Sequence, residues 1–315
     1  MKLGLGDTYE NVSVLTPKAR GYFDLTKPAS SLGAGSTYLI ASVFYFLFTN
    51  QAYSIIPNFW TIIYATLTVI FVHGGSQAMN MAEDAHMDRE TPHKQNRPIP
   101  AGIVTEEEAR TISWILIFFG VGRAFIVSEV FGIVMSIAAF MGVFYNLSPI
   151  RAKERIISIP WQAVSRGLLS FPLVWAAYGD ILTVTPWVLG VFMFFYVFGF
   201  QNSADIIDKE IDEKYGIKTF VVVFGEQKIP YVAAGSMLCM TGVIILAVSA
   251  NVLPVRMFAI LLILPFCIIM LYHLTFNTYA INESTGNHPA WLWMYIGLVL
   301  TVTFPLLAEV YRLYG

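Results

Sequence analysis

Asn80, Asp84 and Asp88 are spaced i, i+4, i+8 in the stretch NMAEDAHMD. Asp205, Asp208 and Asp212 are spaced i, i+3, i+7 in DIIDKEID. On a helix, either spacing sets three oxygen-bearing side chains along one face, because four residues overshoot a turn by only about 40°. Carboxylates in a row with an amide oxygen are hard ligands. Mg²⁺ takes one or two carboxylates and fills its shell with water and substrate phosphates, so an open acidic stripe suits it. Two facing stripes repel unless cations lie between them. Ions held there can grip a diphosphate and offset the charge that develops as it departs. Taken singly, either triplet also fits a solvated helix end. Glu83, His86, Glu90 and His93 lie off the first stripe, and Lys209 and Glu210 off the second. The four near the first stripe read as solvated loop residues, and Lys209 and Glu210 point elsewhere.

Basic residues follow both stripes. Arg97 sits in QNRPIPAG, where the Pro-Ile-Pro frame limits backbone freedom. YNLSPIRAKER supplies Tyr145, Arg151, Lys153 and Arg155, and Lys218 follows the second stripe. Arg and Lys are natural diphosphate partners, Arg by bidentate hydrogen bonds and Lys as a point charge. Each also fits an ordinary basic anchor at a membrane surface.

The elements that must position these groups are apolar helices. Of 315 residues, 56% are hydrophobic and 13% charged, about half the charged share of a soluble domain. Nine apolar runs are long enough to cross a hydrocarbon core, at 32–49, 58–79, 110–127, 130–147, 159–179, 186–204, 229–250, 254–275 and 290–311. The expected fold is all-α: a polytopic membrane protein with nine transmembrane helices. Residues 1–30 form a polar N-terminal segment without the apolar core of a signal peptide, and 31–315 one transmembrane domain.

Placing the N-terminus in the cytoplasm puts 14 of the 19 basic residues on the inner side. The positive-inside rule therefore predicts an inner N-terminus and an outer C-terminus. Both acidic stripes then emerge at the cytoplasmic face and can share one site. Asp205 directly follows an apolar run and is expected at membrane depth, where an ionisable group is functional by default. Arg166 lies well inside the fifth run, where an unpaired Arg costs at least ~2.5–3.5 kcal/mol. It must pair with an acid or face a polar cavity. Cys239 and Cys267 sit in apolar runs and read as packing residues. A net charge of −2 gives no sign of nucleic-acid binding.

These residues resemble the UbiA superfamily of intramembrane prenyltransferases. NMAEDAHMD…NRPIPAG is similar to its first signature, NxxxDxxxD followed by RPxPxG. DIIDKEIDEKYGIKT is similar to its second, DxxDxxxDxxxGxKT, and YNLSPIRAK to the linking YSxxxRxK segment. The resemblance implies nine helices around a cavity with a cytoplasmic cap of motif-bearing loops, and Mg²⁺-dependent transfer from a polyprenyl diphosphate to a lipophilic acceptor. It implies metal ligation by Asn80, Asp84 and Asp88 on one side and by Asp205, Asp208 and Asp212 on the other. It implies diphosphate binding by Arg97, Lys153 and Lys218, and Tyr145 near the reacting carbon. Superfamily acceptors are aromatic quinone precursors, tetrapyrroles and archaeal glycerol phosphate lipids. The DxxDxxxD form resembles the homogentisate, chlorophyll and archaeal-lipid branches more than the hydroxybenzoate branch. Two other readings compete. An ion-coupled transporter or channel would place its acids near the bilayer midplane, often on broken helices. A catalytically silent member would turn over no diphosphate.

Overall fold

The computed structural model describes residues 16–282 and 287–314. The first 15 residues, half of the expected N-terminal segment, lie outside them. Helix makes up 80% of the structure, and strands are absent among the described residues. The elements are α1 (Pro17–Leu25), α2 (Pro28–Phe48), α3 (Phe59–Asp88), α4 (Glu106–Val127), α5 (Glu129–Asn146), α6 (Ser158–Gln162), α7 (Ser170–Tyr178), α8 (Val184–Phe200), α9 (Ser203–Lys214), α10 (Phe220–Phe224), α11 (Ile229–Ser249), α12 (Leu264–Phe276) and α13 (Pro289–Tyr314). Seven stretches are long and apolar enough to cross a membrane, or eight when the bent pair α8–α9 counts as one span.

The ends of the helices follow local chemistry. Thr105 and Glu108 form a capping box at the start of α4. Ser128, in extended geometry, separates α4 from α5. Its Oγ accepts from the Phe131 N–H at 2.9 Å and donates to the Ala176 carbonyl at 2.6 Å. The expected eighth span begins as a 3₁₀ stretch, Val255–Ile263, and becomes α-helical at Leu264-Pro265, where the proline has no N–H to give.

Two spans differ from a simple rod. The fifth expected run is α6 and α7 joined by a wide π turn, Ala163–Leu168. The sixth is not continuous into the second acidic stripe, because α8 and α9 meet at 47°. The cause is local competition for carbonyls. Asn202 Nδ2 donates to the Phe198 carbonyl at 2.9 Å and Ser203 Oγ to the Phe200 carbonyl at 2.8 Å, so the backbone at Gln201–Asn202 closes in tighter i→i+3 bonds.

The helices close into a ring. Neighbours α2, α3, α4 and α5 pack in succession, then α7, α8, α11, α12 and α13, and α13 returns to α2. Apolar side chains fill most of the interface, among them Phe44, Phe131, Phe171, Phe192 and Phe200, all essentially inaccessible. Large apolar residues on the outside, such as Ile126, Leu238 and Phe276, are over 70% exposed, as expected of a surface whose solvent is lipid.

Candidate active site

α3 is a single 30-residue helix, about 45 Å long at 1.5 Å per residue, and the first acidic stripe occupies its last turns. Its three residues line one face, as the spacing predicts. Asn80 Nδ2 donates to Asp84 Oδ2 at 2.8 Å and to Asn146 Oδ1 at 3.2 Å. Lys153 Nζ donates to Asp84 Oδ1 at 2.5 Å, reaching in from the loop after α5. Arg97 donates through one guanidinium nitrogen to Asp88 Oδ2 at 2.6 Å. Asp88 is 1% exposed, and Arg97 and a lysine supply counter-charge beside it.

That lysine is Lys94. Its Nζ lies 2.6 Å from Asp208 Oδ1 and 4.0 Å from Asp88 Oδ1. One ammonium thus ties the first acidic stripe to the second. In the sequence Lys94 was legible only as one more basic loop residue. Lys27 is a second residue that the spacing rules do not single out. Its Nζ donates to Asn80 Oδ1 at 3.1 Å, from a backbone at φ 44° between α1 and α2. Holding a non-glycine residue in that left-handed region costs of order 1–3 kcal/mol. Burial, with the charge of Arg97 adding to it, pulls the Lys27 ammonium down to about 7. His93, read as a solvated residue, has its Nε2 3.8 Å from Asp208 Oδ1. Burial, with Lys94 next in effect, lowers its pKa, so the ring is neutral at pH 7.

On α9, Asp212 is buried and accepts from Thr219 Oγ1 at 3.4 Å. Asp205 Oδ2 is buried and has no hydrogen-bond partner among the described residues. The helix is fixed at its far side by Glu226, which accepts from Lys209 Nζ at 2.7 Å and Tyr279 Oη at 2.6 Å. Lys209, which points away from the stripe, thus tethers the helix. Lys218 is brought near by its backbone, whose N–H donates to the Glu154 carbonyl at 3.0 Å, but its side chain is exposed and reaches none of the carboxylates.

No three acidic, His or Cys side chains among the described residues are grouped as a closed metal cage. The donor set still fits a hard divalent ion. It consists of carboxylate and amide oxygens, and the orphaned Asp205 Oδ2 lacks any other partner. One or two carboxylates per ion, completed by phosphate and water, is the arrangement Mg²⁺ prefers.

A cavity opens beside these residues, between α2, α3, α5, the α6–α7 segment, α8 and α13. Its wall is mostly apolar, with Val72, Met135, Phe171, Val174 and Leu298. Tyr145 and Gln162 line its polar end, with Gln162 Nε2 donating to Tyr145 Oη at 3.0 Å. His73 also lines it and is hydrogen-bonded to Ser30 Oγ at 3.0 Å, which in turn meets Tyr295 Oη at 3.1 Å.

The sequence model of the UbiA prenyltransferase family matches residues 38–294. The chain belongs to that family. It is a membrane prenyltransferase by family, and its relatives agree. A 4-hydroxybenzoate octaprenyltransferase of Vibrio cholerae is 24% identical over 215 residues, 66% of this chain and 70% of the relative. A solved UbiA homolog from Archaeoglobus fulgidus, bound to DMAPP and Mg²⁺, superposes with a TM-score of 0.66 at 19% identity, covering 92% of this chain and 99% of the homolog. A solved digeranylgeranylglyceryl phosphate synthase superposes with a TM-score of 0.61 at 19% identity, covering 94% and 98%. At these identities the structural likeness shows the UbiA fold.

Proposed function

We propose that this protein transfers a prenyl group from a polyprenyl diphosphate to a lipophilic acceptor, with Mg²⁺ as cofactor, at the cytoplasmic face of a membrane. The observation that carries this reading is Lys94, which joins Asp88 of one acidic stripe to Asp208 of the other. Two like-charged stripes brought together, with Lys153, Arg97 and Lys94 among them, make a site suited to cations and a polyanion.

Asn80, Asp84 and Asp88 would hold metal on one side, and Asp205, Asp208 and Asp212 on the other. Bound Mg²⁺ would neutralise the diphosphate and stabilise it as a leaving group. Arg97 and Lys153 turn from their carboxylates toward the phosphates; Lys94 joins them. Lys218 remains a candidate for the same role through movement of its exposed side chain. The C1–O bond of the allylic chain breaks, and its electron pair leaves with the diphosphate. The acceptor's nucleophile then bonds to C1, and the displaced proton is released to solvent. Tyr145, at the boundary of stripes and cavity, faces the reacting carbon, and the apolar wall shields the allylic cation from water.

In this reading the α6–α7 segment, about 31 Å end to end at helical rise, is the remaining span of a nine-helix bundle. The loops after α3, α5 and α9 form the cap on the cytoplasmic side, and the C-terminus lies opposite. A transporter fits less well, because α3 is unbroken and carries its acids at its end rather than at mid-membrane.

The test is incubation with a labelled allylic diphosphate, Mg²⁺ and a panel of acceptors. Asp84→Asn and Asp208→Asn are each expected to lower product formation at least about 100-fold, the scale of losing one strong electrostatic contact to a transition state. Full activity in both variants sinks the assignment.

A further inference from the structure

A prenyl acceptor loses a proton as the new bond forms, and the cavity wall offers few groups to take it. Among the described residues that wall holds no Asp, Glu or Lys. Its one cation is Arg166, on the π turn Ala163–Leu168. That turn is pressed onto α8, where a Cβ at Gly167 would stand 2.7 Å from the Met193 carbonyl oxygen. The wall's one imidazole is His73. Of the side chains present, only a neutral imidazole offers a nitrogen lone pair to a proton.

His73 is placed by the helix that bears the first acidic stripe. His73, Gln77, Asn80, Asp84 and Asp88 run i, i+4, i+7, i+11, i+15, so α3 carries one polar face from the cavity to the carboxylates. Along that face His73 lies about 10.5 Å from Asn80, toward the interior of the membrane.

The hydrogen bonds around the ring can run in one direction only. Gln77 Nε2 lies 3.2 Å from His73 Nε2 and can only donate, so that ring nitrogen is the acceptor and the ring's own proton is on Nδ1. Ser30 Oγ, 3.0 Å from the same nitrogen, must then donate its single proton to it. Tyr295 Oη, 3.1 Å from Ser30 Oγ, is left to donate to the serine. The result is a directed chain, Tyr295 O–H to Ser30 O–H to His73 Nε2, and both of its ends line the cavity. α2 supplies Ser30, α3 supplies His73 and Gln77, and α13 supplies Tyr295. Ser30 and Gln77 are buried, and the chain entering α2 lies close against α3, where a Cβ at Gly74 would stand 3.2 Å from Thr26 Cβ. The relay is therefore rigidly held.

We infer that Tyr295, Ser30 and His73 carry away the proton that the acceptor loses when the prenyl group bonds to it. The inference rests on the prenyl-transfer reading. The acceptor's nucleophilic atom bonds to C1 as the C1–O pair leaves with the diphosphate. The pair of the acceptor's X–H bond stays on X, and its proton goes to Tyr295 Oη. The tyrosine's proton passes to Ser30 Oγ and the serine's to His73 Nε2, leaving one imidazolium beside one departed diphosphate. The charges of Arg166 and Lys27 bear on that ring, and one of its protons is then released to water. An alkylated arene or oxonium is a strong acid, so a neutral nitrogen is all the step requires.

The test is single-turnover kinetics of the full-length protein in nanodiscs, with labelled geranylgeranyl diphosphate, Mg²⁺ and a panel of phenolic and alcohol acceptors. Tyr295→Phe, Ser30→Ala and His73→Gln should each slow product formation roughly 100-fold, the scale of one proton-transfer partner. Because the three act as a unit, Tyr295→Phe/His73→Gln should be no slower than His73→Gln. The parent should show a solvent deuterium isotope effect that curves with the fraction of D₂O, as expected when several protons move together, and His73→Gln should lose the curvature. Binding of the diphosphate with Mg²⁺, read by equilibrium dialysis, should not change, which also verifies that the variants are folded. Turnover in His73→Gln at the parent rate, a double variant slowed by the product of the single effects, or diphosphate binding lost in step with the rate would each overturn the relay while leaving prenyl transfer standing. Absence of turnover in the parent with every acceptor would sink the prenyl-transfer reading and the relay with it.

Discussion

Replacing Lys94 by methionine removes the charge that joins the two acidic stripes while keeping most of the side chain's length. The contacts of 4.0 and 2.6 Å to one Nζ place the Asp88 and Asp208 oxygens at most 6.6 Å apart. At an effective dielectric near 20, two unit charges at that separation repel by about 2.5 kcal/mol. Asp208 has 29% of its side chain exposed, and Asp88 keeps Arg97, so relaxation and screening reduce the net cost to about 1–2 kcal/mol. The variant is expected to unfold at lower temperature than the parent when no divalent ion is present. On the proposed reading Mg²⁺ would occupy the vacated place between the stripes, so its stabilising effect should be larger in Lys94→Met than in the parent. Thermal unfolding in detergent with and without Mg²⁺ measures both quantities, and Lys94→Arg serves as the charge-retaining control. If Lys94→Met is as stable as the parent and gains nothing extra from Mg²⁺, Lys94 does not hold the stripes together and the shared-site argument fails.

Two further outcomes test the frame. Glu309 is fully buried and held by Arg256 Nε at 2.5 Å and Arg312 Nε at 2.7 Å, so the double variant Arg256→Ala/Arg312→Ala should lose about 3–5 kcal/mol, with either single variant losing less, as read by denaturant unfolding in micelles. With Cys239 replaced by serine and Cys267 buried, an impermeant maleimide should modify Lys214→Cys only from the cytoplasmic side and Leu182→Cys only from the other, and the reverse pattern would invert the proposed orientation.

The acidic stripes were legible because their geometry is local. Asn80, Asp84 and Asp88 belong to one regular helix, and the 3.6-residue period alone fixes their common face. The membrane class and most spans were legible for a similar reason, since each depends on a continuous apolar run. Lys94 and Lys27 were not, because a basic residue in an inner loop looks the same whether it meets lipid headgroups or a carboxylate. Their partners lie on other helices, and only the closed ring brings them together. Lys218, read from its motif, keeps an exposed side chain, because its backbone bond to Glu154 anchors the chain without aiming the ammonium. The bend at Gln201–Asn202 and the π turn at Arg166 depend on which side chains win particular carbonyls and on backbone contact with α8. Neither leaves a periodic trace.

The unbroken course of α3 has a mechanical consequence. At about 45 Å it exceeds a hydrocarbon core of about 30 Å, and its surplus is the length that bears Asn80, Asp84 and Asp88. No break in the helix separates its lipid-embedded part from its acids. A thinner or thicker bilayer, met by a change in tilt, would swing those acids as one lever arm. The second stripe hangs on α9, beyond a bend and tethered by Glu226, and would not follow by the same amount. The gap between the stripes, which Lys94 bridges, would then be coupled to the thickness of the membrane in which the protein sits.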